Sequence, residues 1–520
     1  MGPVPRCYNG AADPRNRRRF LPFWSPDNKS IAFFTGTKLE RVELTGGSPL
    51  AICDVAIGRG GAWSSDGKIL FGTLASGMFQ VAASGGTPPA PLTVPDDSRG
   101  ENSHRWPQIL PGGRFLYWVR SDKPAESGAY ASSSARPAER VRLVTTDTNA
   151  LYAPGVDGKD YLLWQRGGAL FAQEFDVGAL KLAGEPHPVA DPVAALGDVG
   201  QMNVAVSATG LLVYSSSATS SQFKWLDRAG KSLSAVGEPG AYGSFRLSPD
   251  GRRAGVSIDR PGGTDLWLAE LERGIFSRFS SNPGTNIYPL WSPDGRSILW
   301  TSGGRRNLLR KDSSGAPGSE QRITQSSNYQ FATDWSRDGR FVLYFELAPQ
   351  TQRDLWILPV TSDGRPAPGT EPRPYVRTPF NEDYGRFSPE NSPRWVAYVS
   401  DESGRNEVYV QSFPEPRGAT QISTGGGRHP QWGPDGRELF YLAPDDRLMA
   451  VTLKLDSGSV EPSAPHALFP VAAAETFYSP YEAAPDGQRF LVRATPKQAA
   501  QPLTVIVNWP ALLRKETAAQ

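Results

Sequence analysis

Apolar residues in this sequence fall into short runs rather than helical stripes. IAFF, ILFG, FLYWV, YLLW, LLVY, SILW, FVLYF, WVAYV, ELFYL and FLV follow one another along the chain, rich in β-branched and aromatic types. Runs this short, bounded by turn residues, predict buried strands and not helices. Some ten residues after each comes a second run: KLERVEL, GMFQVAA, ALFAQEF, FKWLDRAG, DLWLAEL, DLWILPV, EVYVQSF and RLMAVTL. A poorer stretch of Thr, Ser or Arg closes each unit, as in SRFSS after Ile275. Each unit therefore reads as three or four short antiparallel strands joined by tight turns.

One phrase precedes the first run of most units. It appears as WSPDNKS from Trp24, WSSDGK from Trp63, WSPDGRS from Trp291, WSRDGR from Trp335 and WGPDGRE from Trp432. Aligned on its Asp, the clear anchors are Asp27, Asp66, Asp250, Asp294, Asp338, Asp435 and Asp486. Degenerate anchors stand at Gly112, Asp157, Thr209 and Glu390. That makes eleven repeats with a mean period of about 46 residues, the period of four-stranded propeller blades. A lone four-stranded sheet cannot bury both faces; sheets stacked radially bury one another.

Each residue of Ser292-Pro293-Asp294-Gly295 has a backbone task. Ser accepts a backbone N–H, Pro fixes φ, Asp suits the third position of a type I turn, and Gly tolerates positive φ. The phrase predicts a hairpin between the innermost strand and the next, with Trp24, Trp63, Trp291, Trp335 and Trp432 wedged between sheets. The Asp is solitary in each repeat, whereas calcium loops cluster several oxygen ligands. Its expected role is structural.

The fold class expected is all-β: two consecutive β-propellers of four-stranded antiparallel blades. The last six anchors predict a six-bladed second ring and the first five a ring of five, or an incomplete six. The expected division is an N-terminal arm at 1–19, a first propeller at 20–218, a second at 219–510 and a tail at 511–520. SSSATSSQ (Ser215–Gln222) is the expected linker. LTVIVNW, from Leu503, is expected to close the second ring by pairing with an earlier part of the chain, leaving no free edge.

Composition narrows the function. Net charge is +2 over 520 residues, so nothing indicates a whole-protein attraction to nucleic acid or membranes. Arg15, Arg17, Arg18 and Arg19 form the single basic cluster and read as a solvated arm. Cys7 and Cys53 could form one bridge, which sequence alone does not decide. The four histidines (His104, His187, His429, His466) and two cysteines lack zinc-ligand spacing; no metal and no cofactor is expected. No apolar run is long enough for a spanning helix, and residues 1–20 lack the apolar core of a secretory signal.

Several longer phrases resemble a known group. SHRWPQILPGGRFLYW (Ser103–Trp118), FKWLDRAGK (Phe223–Lys231), VAYVSDESGRNEVYVQSFP (Val396–Pro414), GRELFYL (Gly436–Leu442), GQRFLV (Gly487–Val492) and LTVIVNWPALLRK (Leu503–Lys515) stand in an order similar to that of TolB-like, WD-repeat-like propellers. The likeness is greatest to the propeller region C-terminal to the kinase domain in acidobacterial-type serine/threonine protein kinases. G-x-G-x-x-G, H-R-D and D-F-G are absent, so kinase activity does not carry over; the resemblance implies a sensory, scaffolding or interaction role, with an extracytoplasmic setting only by analogy. A prolyl-oligopeptidase-like hydrolase would need a G-x-S-x-G elbow, and the sequence has none.

Ligands of propellers bind where the channel opens, on loops entering the innermost strands. The candidates there are Ser103 and His104 on one mouth, and Asn286, Tyr288, Thr333, Asp383, Tyr384, Arg428, His429, Ser479 and Tyr481 on the other. His104 and His429 read first as hydrogen-bonded histidines finishing a turn. Asn381-Glu382-Asp383 reads as solvated surface, and Arg405 as a local partner of Asp401 or Glu402. The function expected is a non-catalytic module that binds a protein, peptide or glycan. The alternative is the detached regulatory part of a serine/threonine kinase, its kinase domain encoded upstream.

Overall fold

The computed structural model describes residues 20–515 apart from 36, 56, 156–157, 198, 217–219, 261–262, 282–283, 304–306, 349–351, 457, 473–477 and 496–502. The arginine-rich arm, Cys7 and the Asp157 anchor lie outside the described residues. Cys53 is a free thiol whose pKa burial pushes up to about 12.

The chain is all-β, as the alternation of short runs predicts. Eleven antiparallel sheets follow in sequence: sheet 1 (20–54), sheet 2 (58–91), sheet 3 (101–145), sheet 4 (151–190), sheet 5 (204–215 with 503–507), sheet 6 (221–240 with 481–494), sheet 7 (242–278), sheet 8 (286–322), sheet 9 (329–376), sheet 10 (382–421) and sheet 11 (428–470). A two-stranded ribbon, Ala195–Leu196 with Gln201–Met202, joins sheets 4 and 5.

Why the turn phrase recurs is visible in its hydrogen bonds. Ser292 Oγ donates to Asp294 Oδ1 at 2.6 Å and accepts the Ser297 N–H at 2.9 Å, while Asp294 Oδ1 accepts the Arg296 N–H at 3.0 Å. Gly295 N–H reaches Ser292 O at 2.9 Å, with Gly295 at φ 68°. The same set recurs at Ser248/Asp250 and Ser336/Asp338. These carboxylates are spent on backbone donors, as the structural reading expects.

Sheets pack face to face in chain order. Separate apolar clusters join sheets 1 and 2, 2 and 3, 3 and 4, and 4 and 5. Others join 6 and 7, 7 and 8, 8 and 9, 9 and 10, 10 and 11, and finally 11 and 6. Six sheets with six interfaces form a closed circle. Five sheets with four interfaces do not; among the described residues no apolar cluster joins sheet 5 to sheet 1.

Two expectations need correction. Leu503–Val507 does not close the second ring: it pairs with Leu211–Ser215 in sheet 5, so this stretch of the expected second propeller belongs with the first group. The second ring is closed instead by Arg489–Ala494, which pairs with Ser221–Asp227. Apolar content alone does not choose between the two strands, because partner choice is set by the neighbouring sheet rather than by the run itself. Nor is every phrase tryptophan a buried wedge. Trp291 and Trp335 are buried and Trp63 and Trp432 partly so, but Trp24 is 46% exposed, since among the described residues no sheet packs against that side of sheet 1.

The groups touch at their channel mouths. Ile57 and Leu74 join the apolar cluster of sheets 9 and 10 beside Ile287 and Tyr329. Tyr329 Oη donates to Asn102 O at 3.4 Å, and Arg120 hydrogen-bonds Thr285.

Candidate functional site

The innermost strands of the second ring carry a repeated irregularity. Their register shifts between Ile287 and Leu290, Asp383 and Arg386, and Arg428 and Gln431. Tyr288, Tyr384 and His429 sit in those shifts at φ 54°, 52° and 54°. Each lies six residues before its turn anchor. A non-glycine residue in this region costs about 1–2 kcal/mol, so the surrounding sheets must hold it there. Tyr288 and Tyr384 line the chamber at the ring's mouth, whereas His429 is buried behind Tyr384. Tyr384 meets the His429 ring edge-on at 4.4 Å, and Tyr288 meets Tyr478 at 5.4 Å.

Below the bulges, the residues four before the anchors are polar except Leu290, which packs in the apolar cluster between sheets 8 and 9. Around the ring these are Arg246, Leu290, Asp334, Arg386, Gln431 and Glu482. Arg246 pairs with Asp334 and, at 3.5 Å, with Glu482. Arg386 reaches Glu482 at 3.2 Å and Asp334 at 3.8 Å. Gln431 donates to Glu482 at 3.2 Å, and Phe387 N–H to Asp334 at 2.8 Å. Two guanidinium groups and two carboxylates thus neutralise one another across the axis. Burial pushes Asp334 up to about 6 and Glu482 up to about 7, against the opposing pull of Arg246.

A chamber of about 420 Å³, including its opening, lies against this cluster. Its walls include Ser244, Arg246, Tyr288, Thr333, Tyr384 and Arg386, with Ser479 and Glu482 opposite. Four of the sequence candidates therefore converge: Tyr288, Thr333, Tyr384 and Ser479.

The other candidates do structural work. Asn286 is fully buried; its amide donates to Thr264 O at 3.1 Å and its oxygen accepts Trp300 Nε1 at 2.9 Å and Ser302 Oγ at 2.7 Å. Tyr481 is buried and donates to His429 O at 2.7 Å. Arg428 pairs with Asp446, and buried Asp383 with Arg353 at 2.5 Å. Asn381-Glu382-Asp383 is buried rather than solvated, because the inner-strand start of sheet 10 lies under its neighbours. Burial, together with Asp354 and Asp401 nearby, pushes Glu382 up to about 7. Arg405 pairs with Glu407 at 2.8 Å, across one residue on the same strand start, and not with Asp401 or Glu402.

On the first group, Ser103 and His104 are wholly buried. His104 Nδ1 hydrogen-bonds Thr93 Oγ1 at 2.7 Å, and Nε2 lies 3.1 Å from Glu101 Oε2. Glu101 is clamped by Arg140 at 2.7 and 2.8 Å. Burial would raise the Glu101 carboxyl, but His104 and Arg140 outweigh it and hold the group down at about 2. Burial lowers His104 against the pull of Glu101. Thr93, His104 and Glu101 resemble a relay in order, yet they are closed to solvent and tie sheet 2 to sheet 3. Ser103 Oγ accepts Arg105 Nε at 2.8 Å. Among the described residues no three His, Cys, Asp or Glu side chains converge on a metal position.

Sequence reasoning missed Arg246, Asp334, Arg386, Gln431 and Glu482. The signal was available: in the six aligned repeats of the second ring, the fourth position before the anchor is charged four times where a buried strand should be apolar.

The family model PD40, TolB beta propeller domain, matches residues 217–360. Among solved structures, a putative TolB from Agrobacterium tumefaciens is 16% identical, covering 53% of this chain and 98% of its own, at a TM-score of 0.39. TolB from Acinetobacter baumannii is 14% identical over 64% and 78% at 0.36. An oligogalacturonate lyase in complex with manganese is 13% identical over 58% and 80%, also at 0.36. No curated protein matches the chain. The fold itself rests on the sheet topology; the matched segment is similar to the TolB beta propeller domain.

Proposed function

We propose that the chain is a non-catalytic binding module whose ligand, a protein segment, peptide or glycan, engages the mouth of the second ring at Tyr288 and Tyr384, with buried His429 backing Tyr384. One observation supports this most. The charged groups lining the channel are paired with one another, so Glu482, although it lines the chamber, is held together with Asp334 by Arg246 and Arg386. Strained aromatic side chains at the mouth supply rigid contact area that loses little freedom on binding.

The test is direct binding. Peptide and oligosaccharide arrays are probed with the wild-type chain and with Tyr288→Ala/Tyr384→Ala. A ligand retained by the wild type and lost at least tenfold by the variant, with the melting profile kept, supports the reading. Cleavage of any array component by the wild type, abolished by Glu482→Gln, refutes it.

A second reading follows from the phrase resemblance: the rings serve as the sensor portion of a serine/threonine kinase. A kinase domain and spanning segment encoded immediately upstream would favour it.

A further inference from the structure

The charged groups in the channel of the second ring balance in number, but their hydrogen bonds do not. Arg246 and Arg386 both close on one oxygen of Glu482, Oε1, at 3.5 and 3.2 Å, and Gln431 Nε2 reaches the same atom at 3.2 Å. Charge-assisted bonds from a guanidinium to a carboxylate ordinarily run ~2.7–2.9 Å, so Glu482 is held loosely. Arg386 is the less satisfied of the two arginines. Among the described residues its guanidinium makes one hydrogen bond, the contact with Glu482; its Nη1 stands 3.8 Å from Asp334 Oδ1. A guanidinium carries several N–H donors in a flat fork that suits both oxygens of one carboxylate. Arg386 lines the chamber with its side chain 15% exposed, so a largely unused fork borders the cavity.

Every inner strand of the ring bears on Glu482, which belongs to sheet 6. Sheet 7 contributes Arg246, sheet 9 Asp334, sheet 10 Arg386 and sheet 11 the neutral Gln431. Sheet 8 has only Leu290 at that level. Nearer the mouth stand Tyr288 with Tyr478, and Tyr384 with His429 behind it. With both carboxylates ionised the two arginines are neutralised. A proton on Glu482 leaves one positive charge in a buried place, which is costly unless an anion joins it. Burial pushes Glu482 up to about 7 and Asp334 only to about 6, so Glu482 is the carboxylate that gains a proton first as pH falls.

We propose that the chamber admits one carboxylate of a peptide, gripped by Arg386 and Arg246 in the place that Glu482 holds, and that Glu482 takes up a proton as it yields. The inference rests on the binding reading above and names the chemistry of the group that enters. The only bond formed is the O–H on Glu482, its proton drawn from the buffer. Ligand and proton enter together because only the pair leaves the site neutral: the two arginines then face Asp334 and the incoming carboxylate. The walls favour a peptide over an acidic sugar. Phe245, Pro289 and Ala332 give the chamber an apolar side. The hydroxyls of Thr333 and Ser479 already donate to Leu343 O and Tyr481 O, so the many hydroxyls of a sugar would go short of partners. An aliphatic side chain next to a carboxylate is matched on both counts.

The experiment pans a randomised library of N-acetylated pentapeptides on the full chain, made once with a free terminal carboxylate and once as the amide, and titrates the enriched peptides calorimetrically. Free-acid peptides should bind at least tenfold tighter than their amides; amides enriched for an Asp or Glu side chain support the same chemistry from the other source. In two buffers of different ionisation heat, binding near about pH 8 should take up about one proton, and Kd should rise about tenfold from about pH 7.5 to 8.5. Glu482→Gln keeps the shape and leaves the positive charge in place, so at about pH 8.5 it should bind at least tenfold tighter than wild type with no proton uptake. Arg386→Lys keeps the charge without the fork and should lose at least tenfold with its circular dichroism unchanged. Proton uptake unchanged in Glu482→Gln, or tighter binding of glucuronate oligomers than of any peptide, overturns the proposal. If charged and uncharged peptides bind equally and Tyr288→Ala/Tyr384→Ala loses both, the binding reading stands and this inference falls; no enrichment from either library counts against both.

Discussion

Trp335 and Trp24 come from the same phrase and should respond to truncation very differently. Trp335 is 6% exposed and sits among Leu290, Leu299, Leu308, Val342 and Leu358, its indole N–H donating to Gly339 O at 3.3 Å. Covering a whole Trp removes ~150–250 Å² from water, roughly 4–6 kcal/mol at ~25 cal/mol/Å², an upper bound because unfolded chains are partly compact. Trp335→Ala leaves a cavity between sheets 8 and 9 that closely packed strands cannot fill, so ~3–5 kcal/mol is expected. For a ring of this size each kcal/mol shifts the melting temperature by about 2–4 °C, so a drop of roughly 6–20 °C follows. Trp24 covers only about half its surface and borders solvent, so Trp24→Ala leaves no closed cavity and should cost ~2 kcal/mol or less. Urea unfolding followed by circular dichroism, with calorimetry for the melting temperature, measures both. A Trp335→Ala cost below ~1 kcal/mol, or equal costs for the pair, would refute the wedge.

Three further outcomes follow from named contacts. Arg246→Leu strands Asp334 and Glu482 in a buried channel and should cost ~3–5 kcal/mol in urea unfolding; a double-mutant cycle with Glu482→Gln should recover part of it, and strict additivity would show that the two do not interact. Glu382 has its folded pKa raised to about 7 from an ordinary 4.5. The folded chain then holds a proton that the unfolded chain has lost, so this stability is complete below pH 4.5 and fades as pH rises through 7. The urea midpoint should therefore fall between pH 5 and 8 in wild type and fall less steeply in Glu382→Gln, where Asp334 and Glu482 keep their share; an unchanged slope rejects the assignment. Gly72→Ala would place a Cβ 2.5 Å from His104 O and 2.9 Å from Arg105 Cα. Backbone cannot yield there, so soluble expression should be lost, whereas Gly295→Ala, at φ 68° in open space, should cost only about 1 kcal/mol.

Much of the fold was legible because the turn phrase is a local device: Ser292, Asp294 and Gly295 satisfy one another within a few residues, and the repeat makes them countable. The candidate site was legible only in part. Tyr288, Tyr384 and His429 stood out as polar or aromatic residues ahead of inner strands, but their positive φ has no sequence signature, since glycine occupies the corresponding place only at Gly60. Arg246, Asp334, Arg386 and Glu482 acquire meaning only when four distant sheets bring them across one axis. Asp383 and Glu382 misled because an acidic triplet looks solvated until its neighbours bury it. The destinations of Arg489–Ala494 and Leu503–Val507 were illegible for the same reason: pairing over such separations is decided by the whole assembly.

That last pairing has a bearing on synthesis. Leu211–Ser215 waits for a partner made about 290 residues later, and at ~5–20 residues per second a ribosome needs roughly 15–60 s to deliver it. For that interval the nascent chain carries two unfinished rings at once, with bare aliphatic edges on both. Ser221–Asp227 likewise waits for Arg489–Ala494, made just before Leu503–Val507, so the second ring closes first, the first group gains its last strand directly afterwards, and both halves become protease-resistant late.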